Sequence, residues 1–313
     1  MAQPLVSIIC NAYNQEKYIR DALEGFVNQE ADFEYEVLIH DDASTDDTPK
    51  IIKEYELRYP EIVKPIYQKE NQHSKKISIT KQYQLPRVKG EYVAFCEGDD
   101  YWTDTHKLQK QVDALTEHPE SDICGHRARR VDNNGFVGFT APKEKDDIIP
   151  IEEIILGGGS FIATASLMIR TSAIKEQTPM MAIICLDYTW QLQGSLRGGL
   201  VYLNDEMSVY RVMSQGSWTS RMKNNPERRN AHSDRVISML YAFNEYSKRQ
   251  YESVINQIIH RIRYRQLQRK GDYNAMLSPE FKDLFHNHSI GYKMYVFLRY
   301  YFNRIKGKEY GKQ

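Results

Sequence analysis

The chain has 313 residues, a length that suits one large domain or a domain with a sizeable appendage. Its 42 Lys/Arg and 42 Asp/Glu cancel, which argues against a generic nucleic-acid binder. The balance is uneven along the chain: residues 221–313 hold 19 Lys/Arg and 8 Asp/Glu, a net of +11, against −11 for residues 1–220, so two regions are expected to face different partners.

Met1 to Leu5 leads straight into a strand-like run, with no basic stretch followed by an apolar segment, so no signal peptide is expected. LVSIIC (5–10) reads as a buried strand, and EKYIRDALEGFVNQ (16–29) carries apolar residues at helical spacing. YEVLIH (35–40) predicts a second strand. DDTPKIIKEYELRY (46–59) predicts a second helix, started by Ser44 or Asp46 with Pro49 in its first turn. IVKPIY (62–67) is a short third strand, residues 78–87 a further helix, and EYVAFC (91–96) a fourth strand. Strands alternating with helices imply βαβ crossovers and a parallel sheet covered on both faces.

Ligands of such sheets bind outside the carboxyl ends of the strands. Just past those ends stand Asn11, Tyr13 and Asn14; then Asp41, Asp42 and Ser44; then Glu70 and Asn71; then Glu97, Asp99 and Asp100. One polar rim gathers them, and two of its loops are acidic. No G-x-G-x-x-G follows the first strand and no G-x-x-x-x-G-K-[ST] occurs, which argues against backbone cradling of a dinucleotide and against a P-loop. An acidic rim repels phosphate directly but can hold it through a divalent metal. Asp99-Asp100 can equally cap the helix predicted from TDTHKLQKQVDAL (103–115).

Farther on, GGGSF (157–161) marks a flexible connection, a candidate lid, before a buried strand FIATASLMIR. Asp187 ends the apolar run MMAIICL and opens the helix-like DYTWQLQGSLRG, where a helix cap is its ordinary role. Cys10, Cys96, Cys124 and Cys185 form no CxxC pair and read as reduced core residues of a cytosolic protein. CGHRARR (124–130) has no second ligand pair at zinc spacing. Beyond about residue 224 long helical segments follow. The last, GYKMYVFLRYYFNRIKGKEYGK, mixes aromatics with Lys293, Arg299, Arg304, Lys306 and Lys308. It either packs on the preceding domain or meets the headgroups of an anionic bilayer. No apolar run nears the ~20 residues of a spanning helix.

VSIICNAYNQEKYI, EVLIHDDASTDDT, GEYVAFCEGDDYWTDTHKLQKQ and LDYTWQL, in that order over roughly residues 4–220, resemble the motifs of the inverting family 2 glycosyltransferases of the GT-A fold, of bacterial polysaccharide type. The resemblance implies an α/β, Rossmann-like, mostly parallel sheet flanked by helices as residues 1–222, with a C-terminal helical region as residues 223–313. It implies transfer of a sugar from a nucleotide sugar, a UDP-sugar, to a hydroxyl of a glycan or lipid-linked glycan. Asn11, Tyr13, Glu16, Asp42 and Asp99 would line the nucleotide site, with Tyr13 on the base and Asp42 accepting from its N3–H. Asp41 would hold the turn. Asp100, with Asp99, would bind Mn2+ or Mg2+, and Asp187 would be the general base. Glu97 stands where the motif commonly begins with Asp.

One departure is Met213, where family members often carry a metal- or diphosphate-binding His after Tyr-Arg. Met is a poor ligand for a hard cation, so either metal affinity would be lower or Arg211, Trp218 and Arg221 would take over part of the diphosphate contact, with Asn71 a further candidate on the diphosphate or acceptor side. The expected setting is cytoplasmic, peripheral at the inner face of the cytoplasmic membrane, with no nucleic-acid partner. Two alternatives stay open. A sugar nucleotidyltransferase would need a Gly- and Lys/Arg-rich loop that NAYNQEKYI lacks; a non-catalytic nucleotide-sugar-binding subunit would account for Met213.

Overall fold

The computed structural model describes residues 3–184, 187–214, 218–223 and 225–310, with the side chains of residues 218, 219 and 303–310 outside that description. Continuous apolar runs make the first strands, β1 (Val6–Ala12), β2 (Tyr35–Asp41), β3 (Val63–Tyr67) and β4 (Tyr92–Phe95). They pair in parallel in the order β3-β2-β1-β4, with Val6 opposite both Tyr35 and Tyr92. Parallel neighbours need crossovers, and α1 (Ile19–Val27) and α2 (Thr48–Arg58) supply the first two. On α1 the residues Ile19, Ala22, Leu23 and Phe26, at i, i+3, i+4 and i+7, are all buried. Pro49 lies in the first turn of α2, as the sequence predicted, but the cap position is Asp47 rather than Ser44 or Asp46; Asp46 Oδ1 accepts from Thr48 N at 3.0 Å just ahead of the helix.

The helix expected over 78–87 is a π turn at Thr80–Gln84 followed by a 3-10 turn at Leu85–Arg87. Pro86 lacks the N–H that an α-helical ladder would need there.

Beyond β4 the sheet becomes mixed. The chain runs through β5 (Tyr101–Trp102), α3 (Lys107–Glu117), β6 (Ile123–Asp132), β7 (Gly135–Thr140), β8 (Asp147–Ile149), α4 (Ile151–Gly157), β9 (Met168–Arg170), α5 (Thr171–Lys175), α6 (Pro179–Ile183), α7 (Asp187–Gly194) and β10 (Leu200–Arg211). The order continues β4-β9-β6-β10-β5, with β9 antiparallel to both its neighbours and β10 parallel to β6. Of the strand expected over FIATASLMIR only Met168–Arg170 pairs; Thr164–Ser166 curls into a 3-10 turn closed by Ser166 Oγ donating to the Ala163 carbonyl at 2.7 Å.

Two contacts fix the helices that frame the rim. Phe26 of α1 meets Trp102 edge to face at 4.9 Å, and a Cβ on Gly25 would stand 2.9 Å from the Trp102 carbonyl oxygen, so only glycine permits that approach. Trp190 of α7 stacks on Phe95, the last residue of β4, at 4.5 Å. Beneath the loop between β4 and α3 lies Lys107, fully buried, its Nζ 3.9 Å from the Trp102 ring centroid and donating to Gln111 Oε1 at 2.6 Å. Burial pushes this amine down to about 7. Cys10, Cys96 and Cys124 are buried free thiols; Cys185 is outside the described residues.

The chain divides into two compact units, Met1–Arg221 and Met222–Gln313. After α8 (Trp218–Lys223), the second unit is helical: α9 (Pro226–Tyr246), α10 (Glu252–Lys270), α11 (Tyr273–Met276), α12 (Lys282–His286) and α13 (Ile290–Tyr310). Asn225 caps α9 by accepting from Arg228 N at 2.8 Å, and Gly271, at φ +66°, closes α10. α9 and α10 run antiparallel, joined by Gln266 donating to Asp234 (2.7 Å) and Arg263 to the Tyr241 hydroxyl (3.0 Å). Tyr264, Met276, Phe281, Phe285 and Val296 form the core of this unit. No helix among the described residues is long and apolar enough to cross a membrane.

Candidate active site

The loop after β1 is stitched to its neighbours by its own polar side chains. Asn11 donates to Thr80 Oγ1 at 3.2 Å, and its carbonyl accepts from Gly98 N at 3.1 Å. It therefore joins the first strand to the loop that carries the carboxylates. Asn14, at φ +53°, donates through its backbone N to Ser44 Oγ (2.9 Å) and accepts from Thr45 N through Oδ1 (2.8 Å). Tyr13, in the same loop, is 46% exposed. Glu16 turns away from this opening: its Oε2 accepts from Asp47 N and its N donates to Asp46 Oδ2, both at 3.1 Å, tying the start of α2.

Asp41 and Asp42 are both buried at the end of β2. Burial raises the Asp41 carboxyl, an effect eased by Ser44, whose N donates to Oδ2 at 3.3 Å. The Asp42 carboxylate accepts from two consecutive amides, Gln72 N at 2.7 Å and His73 N at 3.0 Å, while Asn71 Nδ2 donates to its carbonyl at 3.1 Å. Asn71 Oδ1 in turn accepts from Ser74 N at 2.7 Å. Asp42 and Asn71 thus organise the loop after β3. A carboxylate oxygen has two lone pairs, so Asp42 still has acceptor capacity beyond these two amides.

The acidic loop after β4 is crowded. Burial pushes the Glu97 carboxyl up to about 8, with Asp99 and Asp187 adding repulsion and Asn11 easing it. Asp100 is buried and held well above the usual carboxylate range by burial and by Asp99, against one donor, Arg211 N, at 2.8 Å to Oδ1. Asp99 Oδ2 accepts from Ser214 Oγ at 2.6 Å. Among the described residues, Asp99 Oδ1 and Asp100 Oδ2 accept no hydrogen bond.

Arg211 does not face this opening. It donates to the Asp99 carbonyl at 2.8 Å, pairs with Asp21, and packs between the rings of Tyr18 and Tyr101, 5.2 and 4.4 Å from their centroids. These contacts make Arg211 a clamp that sets the acidic loop against α1. Met213 adopts φ +66° in the turn that follows. Arg221 is exposed, and the Trp218 side chain is outside the described residues.

Asp187 begins α7. Its Oδ1 accepts from Tyr188 N at 2.7 Å and its Oδ2 from Thr164 Oγ1 at 3.0 Å. Burial pushes this carboxyl up, and the two donors hold it down. Because Trp190 stacks on Phe95, the start of α7 lies by the end of β4, and Asp187 and Glu97 share one field. The glycine loop expected to be a free connection is held in place. Gln191 Nε2 donates to the carbonyls of Gly159 and Ile162, both at 3.4 Å, and the Tyr188 hydroxyl donates to that of Ile155 at 2.7 Å. A Cβ on Gly159 would stand 3.5 Å from Asp187 Oδ1.

The sequence did not single out Thr164, Ser214 or Tyr210. Burial, then the charges of Asp100, Asp187 and Asp99, push the Tyr210 phenol up to about 12. The alternation of β10 was the available signal: Arg211 turns toward α1, so Tyr210 turns to the opposite face. His126 is buried, with Nδ1 2.8 Å from the Arg127 carbonyl, and serves the core. Among the described residues no group of three or more His, Cys, Asp or Glu is arranged to hold a metal by itself.

The rim therefore offers an exposed aromatic, Tyr13, a pair of carboxylates each with an oxygen that accepts no hydrogen bond among the described residues, and Asp187 held by two donors. Three comparisons bear on it. The model of glycosyl transferase family 2 matches residues 7–176. An uncharacterized protein of Mycobacterium bovis is 37% identical over 220 residues, covering 69% of this chain and 61% of that protein, so the match spans about three fifths of that relative's length. The fold is similar to that of Staphylococcus aureus TarS 1–349 in complex with UDP-GlcNAc, with a TM-score of 0.64 and 21% identity over 88% of this chain and 77% of that one. It is also similar to the mannosyltransferase PcManGT from Pyrobaculum calidifontis in complex with GDP-Man and Mn2+, with a TM-score of 0.54 and 14% identity over 100% and 89% of the two chains.

Proposed function

The chain belongs to glycosyl transferase family 2 and has a GT-A-type fold, and from that premise we propose that it transfers a sugar, with inversion, from a UDP-sugar to a hydroxyl of a glycan or lipid-linked glycan. The observation that carries this reading is Asp187, a partly buried carboxylate held by Thr164 and Tyr188 N beside the acidic loop. Asp187 takes the acceptor proton as the acceptor oxygen bonds to the anomeric carbon; the bond from that carbon to the diphosphate breaks, and its electron pair leaves with UDP. Burial strengthens the carboxylate as a base, and the two donors oppose that upward push.

Tyr13 and Asn11 border the nucleoside end, and Asp42 offers its remaining lone pairs to the N3–H of a uracil. Asp99 and Asp100 fit a divalent cation of the kind bound by one or two carboxylates and completed by substrate phosphates. Each keeps an oxygen without a partner among the described residues, and the crowding that raises Asp100 is what a cation relieves. When bound, Mn2+ or Mg2+ would offset charge on the departing diphosphate. The acceptor is met at an anionic membrane face, where the basic second unit holds the protein peripherally.

The test is product analysis. The protein is incubated with UDP-GlcNAc, other UDP-sugars and GDP-mannose, with and without Mn2+, on glycan and lipid-linked acceptors. Acceptor-dependent release of UDP with a new glycosidic bond is expected. Pyrophosphate release from a nucleoside triphosphate and a sugar phosphate, without transfer, would overturn the reading in favour of a nucleotidyltransferase.

A further inference from the structure

Helix α13 is built the wrong way round for a helix that only packs. Val296 is buried in the core of the second unit with Tyr292 beside it. A helix advances about 100° per residue, so the face opposite Val296 carries Ile290, Met294, Leu298 and Tyr301. These are 77, 60, 69 and 58% exposed, and Phe297 and Phe302 on their flanks are about half exposed. A packing helix puts its polar face outward. This one puts an unbroken apolar stripe outward, and seven of the large apolar side chains exposed among the described residues belong to it.

The charge around the stripe is of one sign. Between Asp283 and Glu309 the chain has no carboxylate side chain and five Lys/Arg: Lys293, Arg299, Arg304, Lys306 and Lys308. By helical spacing Lys293 falls on one flank of the stripe and Arg299 on the other; the side chains of the last three are outside the described residues. An apolar face bordered by cations matches a bilayer surface, where acyl chains lie beneath anionic headgroups. A second protein copy would bring its own cations against these.

We propose that the outward face of α13 is a docking surface for an anionic lipid bilayer, on which Ile290, Met294, Leu298 and Tyr301 insert shallowly while Lys293 and Arg299 meet headgroups. It deepens the reading that the acceptor is met at a membrane, but its test needs no sugar transfer, so the two can fail separately.

The full chain is co-sedimented with vesicles of phosphatidylcholine alone and of phosphatidylcholine with phosphatidylglycerol, beside the double variant Met294→Glu, Leu298→Glu. Wild type is expected to pellet with the anionic vesicles and to be released by salt; the variant should partition roughly ten-fold less or worse. Both substitutions are at exposed positions, and an unchanged melting temperature confirms folding. A Leu298→Trp variant should show a blue-shifted emission on the anionic vesicles alone. Equal binding by wild type and double variant, no binding by wild type, or a wild-type dimer that the variant makes monomeric without any vesicle binding would each overturn the proposal, the last in favour of a second copy.

Discussion

Thr164 Oγ1 donates to Oδ2 of Asp187 across 3.0 Å, so a residue 23 positions upstream, in a 3-10 turn, fixes the orientation of the carboxylate that opens α7. The bond also opposes the upward push of burial on that carboxyl. Thr164→Val keeps the shape and removes the donor. The Asp187 carboxyl then rises further, and the acidic limb of the kcat/KM profile moves to higher pH by about one unit. Activity on that limb falls about ten-fold, and Thr164→Ser restores both. An unmoved limb with lowered activity would mean that Thr164 only shapes the turn.

In Asp187→Asn the amide oxygen can still accept from Tyr188 N while the NH2 takes the place of Oδ2 and donates to a turned Thr164 hydroxyl, but the side chain cannot accept the acceptor's proton. Donor binding, read by thermal shift with UDP-sugar, should be retained. A ligand at 100 times its Kd stabilises by about 2.7 kcal/mol, enough to see. Transfer should fall by about 10²–10⁴-fold. Transfer at the wild-type rate would remove Asp187 from the chemistry.

The Asp42 carboxylate accepts from Gln72 N and His73 N, and Asp42→Ala strands both. Each unsatisfied amide costs about 1–3 kcal/mol. Urea denaturation without nucleotide should therefore show a loss of about 2 kcal/mol or more, and calorimetry a loss of UDP affinity beside it. Lost affinity at unchanged stability would show the loop after β3 holding itself without Asp42.

Lys107 gives a pH signature in stability. Its amine is pushed down to about 7 in the fold, against about 10.4 unfolded. Between those values the unfolded chain binds the extra proton, so this group makes stability rise with pH through that window. A full proton of difference between the two states changes stability by about 1.36 kcal/mol for each step of pH, so from pH 7 to pH 9 the gain from Lys107 is about 2 kcal/mol. In Lys107→Met that component vanishes, and over the same range the wild type should gain about this much stability relative to the variant in urea denaturation. A constant difference would mean that Lys107 is charged at both pH values.

The parallel half of the sheet was legible because its strands are apolar on both faces and its helices carry a clear period. Ile19, Ala22, Leu23 and Phe26 alone define the buried side of α1. β5 to β10 were harder. Three of these strands are only two or three residues long, and β10 is partly exposed along its middle, so neither pattern has room to show. Among the site residues, the positions of Asp42, Asp99, Asp100 and Asp187 followed from where strands and helices end. The roles of Glu16 and Arg211 did not, because each is decided by a partner far along the chain: Asp47 lies 31 residues from Glu16, and Asp21 lies 190 from Arg211. Thr164 stood in a run whose β-branched residues suggested a strand, and only its turn aims the hydroxyl at Asp187.

The clamp made by Arg211 has a consequence for the order in which the molecule comes into being. β1 to β4 are complete by Phe95, and their pairing uses only elements already synthesised. The carboxylates that follow receive their donors from Arg211 and Ser214, 111 and 115 residues later. Contacts that distant form late, both in folding and on the ribosome. A nascent chain emerging from the ribosome can thus own the parallel half of its sheet while Asp99 and Asp100 are still unanchored. Catalytic competence arrives as a single event, when the last strand threads between β6 and β5 and closes the register around them.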